Sequence, residues 1–91
     1  MTDKIRKAAV LKYKHQIDRA PKLVAKGKGV VADRILEMAR KHRIPIERDP
    51  ALVEVLSQLD IDQEIPPDLY RAVAQVLAYV YRVTRKLEGA G

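Results

Sequence analysis

The chain has 91 residues, a net charge of +6, 33% charged residues, and neither cysteine, tryptophan nor phenylalanine. That length suits one soluble domain with a small aliphatic core, and the missing cysteines exclude disulfides, thiol chemistry and thiolate metal sites. Its apolar runs fall far short of the roughly 18 to 20 residues that cross a bilayer, and the start of the chain has too short an apolar stretch for a signal peptide.

The first element is a strand from Lys7 to Tyr13, where Ala8 to Leu11 form a short apolar run between lysines. A polar loop follows, interrupted by Pro21. Leu23, Val24 and Ala25 make a second brief apolar run, closed by Gly27 and Gly29 as a turn into a helix, where glycine gives left-handed backbone angles or a close approach. The spacing of Val31, Ile35, Met38, Ala39 and His42 predicts an amphipathic helix ending in the cations Arg40, Lys41 and Arg43. Pro45 stops it and leaves Ile44 to Glu47 extended. Asp49-Pro50 opens the next helix, an N-cap oxygen followed by proline at the first helical position, with Leu52, Val55, Leu56 and Leu59 as its apolar stripe. Asp60 to Glu64 reads as an exposed acidic connector. Ile65-Pro66-Pro67-Asp68 starts the last helix, whose buried face is predicted from Leu69, Val73, Val76, Leu77, Val80 and Leu87.

These elements give an α/β fold, a small sheet of short strands covered by helices. The expected division is a flexible N-terminus at 1–6, one domain at 7–87 and a disordered tail at 88–91.

Charge is unevenly distributed. Residues 1–28 carry nine Lys/Arg against Asp3 and Asp18, whereas residues 44–68 carry seven acidic residues against Arg48 alone. Such polarity either steers a charged partner or anionic lipid headgroups to one side, or reflects two solvated stretches. Catalytic constellations are thin. His15 and His42 lie in basic stretches with no spacing that links them to Ser57, Thr2 or Thr84. Asp60, Asp62 and Glu64 alternate as in a calcium loop but lack its glycine and its later glutamate. Lys26-Gly27-Lys28-Gly29 precedes a helix, yet without the Gly-Lys-Ser/Thr ending of a phosphate loop. No catalytic residue, cofactor or metal site is expected.

Two runs are distinctive: Ala20-Pro21-Lys22-Leu23-Val24-Ala25-Lys26-Gly27, and Gln63-Glu64-Ile65-Pro66 leading into the last helix. With Leu11-Lys12-Tyr13, Ile44-Pro45-Ile46 and the stretch from Ala72 to Tyr81, they resemble, in the same order, the cytoplasmic domain of the FlhB/YscU family, the switch protein of flagellar and type III secretion export. In full-length members a membrane-embedded portion precedes this domain. They also cleave themselves at Asn-Pro-Thr-His just ahead of the first strand, where this chain has Asp3-Lys4-Ile5-Arg6. An asparagine amide nitrogen must attack its own backbone carbonyl there, and the aspartate carboxylate is a much weaker nucleophile, so no self-cleavage is expected. Further departures are Asp62, where the family usually has glycine, a connector after Leu56 one residue shorter than in full-length members, and Glu54 at a commonly basic position.

The resemblance implies a non-enzymatic accessory of protein export, standing alone like the family's post-cleavage fragment. Its implied partners are the export gate and export substrates, contacted through an apolar patch at the positions of Ala20, Pro21, Ala74 and Leu77. Ala20 and Pro21 lie in a loop, which usually faces water, whereas Leu77 also falls on the predicted buried stripe. The implied location is the bacterial cytoplasm, at the inner-membrane export gate, and a monomer is favoured. The alternative from composition is a small nucleic-acid-binding domain using the basic first third and Tyr13, although no recognition motif supports it.

Overall fold

A computed structural model describes residues 6–14 and 17–89, with the side chains of the last helix described through 84. The elements are β1 (Lys7–Lys12), β2 (Lys22–Lys28), α1 (Val30–Lys41), α2 (Pro50–Leu56), a 3-10 turn (Pro67–Leu69) and α3 (Tyr70–Gly89). Of the expected flexible start, residues 1–5 lie outside the described residues. The helical backbone runs through Gly89 and so takes in Glu88 and Gly89 of the expected tail.

β1 and β2 form a two-stranded antiparallel sheet in which Lys7 pairs with Lys28 and Lys12 with Lys22. The register shifts between Val10, opposite Ala25, and Leu11, opposite Leu23, so Val24 is an extra residue on β2. Such a bulge bends and twists the ribbon. Alternation sends Ala9 and Leu11 to one face and Ala8 and Val10 to the other. Ala9 and Leu11 pack on a core of Leu52 and Leu56 from α2, Val73 from α3, and Ile65 between them. α1 covers the opposite face, where Ala8 and Ala32 are both buried. The hairpin is therefore the middle layer of three, as the α/β expectation required.

β2 has a third backbone neighbour. The segment expected as a free acidic connector folds back along its start: the Leu23 amide donates to the Gln63 carbonyl (3.0 Å) and the Asp62 amide to the Leu23 carbonyl (2.6 Å). Lys22 and Glu64 form an antiparallel bridge. The far edge of β1 has no backbone partner among the described residues.

Two glycines that looked equivalent have different duties. Gly29 is the N-cap of α1 with φ of 62°, a left-handed angle. Gly27 lies within β2 opposite Ala8, and a Cβ there would come within 2.4 Å of Val31 Cγ1 and 3.1 Å of Ile35 Cδ1. It is bare because α1 presses on it. That approach also turns α1 away from its predicted face. Ala32 is fully buried and Ile35, Leu36 and Ala39 half-buried, while Val31 and Met38 stay more than half exposed and His42 is an exposed C-cap. Small side chains let α1 lie close to the sheet, and Val30, Val31 and Ala32 in succession permit more than one apolar face.

α1 ends in a Schellman motif: the Ile44 amide reaches the Ala39 carbonyl (2.8 Å) and the Arg43 amide the Arg40 carbonyl (3.2 Å). Arg43 holds the left-handed position, φ 59°, that glycine usually fills. α2 starts as predicted, with an Asp49 carboxylate oxygen accepting from the Leu52 amide at 3.1 Å. Leu52 and Leu56 are buried, but Val55 is exposed. No helix among the described residues is long and apolar enough to cross a membrane.

Candidate partner-binding surface

The two distinctive runs of sequence meet in space. The Ile65 amide donates to the Pro21 carbonyl at 2.8 Å, beside the Leu23, Gln63 and Asp62 bonds already described. Gln63 adds a side-chain tie, its Oε1 accepting from the Asp60 amide at 2.9 Å while its own amide donates to the Asp60 carbonyl at 3.1 Å. An exposed ion pair, Arg19 to Glu64 at 3.4 Å, lies over the junction. The chain thus presents Ile65, 1% exposed, to the core as a plug between α2 and α3. Pro66 follows it in an extended conformation and leads into the 3-10 turn before α3.

Lys26 ties the same region from below. Its side chain leaves the sheet opposite Ala9, on the α2 side, and its ammonium donates to the carbonyls of Ser57 (3.1 Å) and Leu59 (2.6 Å). These carbonyls lie just past the end of α2, where the helix dipole is negative and acceptors lack partners. The lysine therefore fastens the hairpin to the start of the connector.

This arrangement divides the four expected contact residues. Ala20 is 3% exposed and Pro21 is also buried, because the backbone pairing with residues 62–65 closes over the loop. Their expected exposure is corrected accordingly. Leu77 is half-buried against the core, and Ala74 is exposed. Ala74 and Leu77 belong to a line on α3 that also includes Tyr70 (46% exposed) and Tyr81 (62% exposed). Spacings of 4, 7 and 11 residues from Tyr70 put them on one side of the helix. The tyrosines were absent from the expected patch, although this spacing was visible in the sequence. On this line the rings flank a small residue, leaving a shallow apolar strip with polar tips.

Other candidate chemistry is occupied elsewhere. The Ser57 hydroxyl donates to the Glu54 carbonyl at 2.8 Å. At the start of α1 the Gly29 amide is taken by the Arg6 carbonyl (2.7 Å), and Asp33 in the first turn pairs with Arg6 at 2.6 Å. That carboxylate occupies the position an anion would seek. His15 lies outside the described residues. Among the described residues no three His, Asp or Glu side chains are arranged to hold a metal ion. A depression of about 240 Å³ beside Lys12, Lys14 and Lys22 is also lined by Asp18 and Asp62, so its charge is mixed.

Known proteins share this arrangement. YlqH of Bacillus subtilis is 42% identical over 84 residues, 92% of this chain and 90% of that protein. The flagellar biosynthetic protein FlhB of Aquifex aeolicus is 42% identical over 81 residues, 88% of this chain but only 23% of that protein. Among solved structures, the cytoplasmic domain of FlhB from Shewanella putrefaciens superposes with a TM-score of 0.82 at 40% identity, over 93% of this chain and 67% of that one. The profile of the FlhB HrpN YscU SpaS family matches residues 3–80, and the chain belongs to that family.

Proposed function

We propose that this chain is a non-enzymatic binding component of flagellar or type III protein export, resembling the post-cleavage form of the family's cytoplasmic domain. It works at the cytoplasmic face of the inner membrane, where it docks on the export gate or on export substrates. The observation that carries this reading is the α3 line of Tyr70, Ala74, Leu77 and Tyr81, an accessible apolar strip beside the locked junction of the two family motifs. Family membership supports the export setting. Aromatic and aliphatic side chains around a small residue suit a partner's apolar segment, since tyrosines contribute large contact area at low entropic cost.

The test is binding to purified export-gate proteins and to early export substrates, with Ala74→Asp and Tyr70→Ser as variants. Both changes fall on exposed positions, so circular dichroism is expected to stay native while affinity drops at least tenfold. Affinity unchanged in both variants overturns the surface assignment. Pro21→Asp serves as a folding control, because its site is buried. The proposal includes the absence of self-cleavage at Asp3-Lys4-Ile5-Arg6. Intact mass after prolonged incubation is expected to show no reproducible loss of the first three residues.

A further inference from the structure

The outer face of α1 is the largest departure from what a helix packed on a sheet requires. Val30 is 71% and Met38 51% exposed, although Ala32, Ile35, Leu36 and Ala39 already supply the sheet-facing side, with Val31 at its edge over Gly27. At helical spacing Arg34 and Lys41 stand among these exposed residues. Neither forms an ion pair among the described residues, and nor do Arg40 and Arg43 at the end of the helix. Asp33 is neutralised by Arg6 on one flank, leaving Glu37 as the only other carboxylate on α1. The acidic residues of the connector lie along the start of β2 and beyond α2. Arg34, Arg40 and Lys41 outnumber Asp33 and Glu37 on α1, and with Asp33 held by Arg6 the outer face is mildly cationic, with aliphatic side chains set into it.

Shape narrows the occupant. α1 packs principally on β1 and β2, and no other helix packs extensively beside it, so this face is a convex ridge. A partner helix docks in a groove between two elements, which this ridge does not offer. Nucleic acid would use the cations but gains nothing from exposed valine and methionine, and α1 has no aromatic residue on which a base could stack. A flat surface with anionic headgroups over an apolar interior matches both sets of side chains. We infer that the Val30, Arg34, Met38 and Lys41 face of α1 is a peripheral docking surface for an anionic phospholipid bilayer. It is separate from the α3 strip and does not depend on what that strip binds.

The experiment is co-sedimentation of the full chain with vesicles of phosphatidylcholine alone or of phosphatidylcholine mixed with phosphatidylglycerol, at low and high salt. The expected result is partition onto the phosphatidylglycerol vesicles that weakens with salt. Arg34→Glu with Lys41→Glu lowers it at least tenfold, since each cation near such a surface contributes about a factor of five. Val30→Ser with Met38→Ser leaves the charge unchanged and lowers partition severalfold, and Gln75→Ser, exposed on α3 away from the strip, has no effect. Circular dichroism confirms that each variant is folded. Equal binding to both vesicle types, no binding to either, or indifference to the Val30→Ser and Met38→Ser pair overturns the inference. Failure here leaves the export reading intact, because that reading is tested on α3 with proteins alone.

Discussion

At the scale of single residues, two side chains occupy backbone positions that favour glycine. Arg43 has φ of 59° and Asp62 has φ of 71°. Aspartate tolerates this region better than arginine, and at Asp62 the left-handed angle serves the turn that brings its amide to the Leu23 carbonyl. Arg43→Gly is expected to raise stability by about 0.5–1 kcal/mol, the relieved left-handed penalty less the entropy of an added glycine, read from the urea midpoint at constant slope. The reverse exchange separates the two native glycines. Gly27→Ala is expected to cost about 1–3 kcal/mol because its Cβ meets Val31 Cγ1 as well as Val31 Cβ at 3.0 Å and Ile35 Cδ1 at 3.1 Å, and Val31→Ala in the same chain, which removes the tightest contact, restores part of the loss. Gly29→Ala meets no atom within 4 Å and carries only the backbone penalty, about 1–2 kcal/mol, which Val31→Ala leaves unrelieved.

At the scale of elements, legibility followed locality. The start of α2 was readable because Asp49 and Pro50 act on backbone groups within three residues of them. The rotation of α1 was not, since three successive apolar residues allow several faces and the choice rests with a glycine on a different element. Nor was the return of residues 62–65 along β2, a backbone ladder between segments about 40 residues apart that leaves no periodic pattern. This pairing buried Ala20 and Pro21. The charged nature of Lys26 was equally misleading, because an exposed lysine and a helix-capping one look alike in sequence. Lys26→Met keeps the aliphatic stem but removes both donations, to Ser57 and to Leu59. It is expected to cost about 1–3 kcal/mol, and amide exchange between residues 57 and 63 should accelerate more than exchange within α3.

At the scale of the whole molecule, the sequence disclosed the family and the α/β fold class because two separated runs had to be correct together. Their meeting at the Pro21 carbonyl and Ile65 amide makes the two runs one structural junction. The candidate site was half legible: Ala74 and Leu77 fall on the accessible α3 line, while Tyr70 and Tyr81 completed it only once exposure was known. The edge of β1, unpaired among the described residues, carries a separate consequence, for colloidal behaviour. A strand edge without a neighbour is a template on which another copy can build a ribbon. Antiparallel pairing of two β1 edges about their centre would set Lys12 against Lys7 of the other copy; Lys7 is paired with Glu54 at 2.6 Å, so Lys12 is the gatekeeper. Lys12→Thr is expected to shorten the lag of thioflavin-positive aggregation at high concentration, whereas Lys28→Thr on β2 should leave it unchanged. On this view part of the positive charge of the chain serves to keep its copies apart.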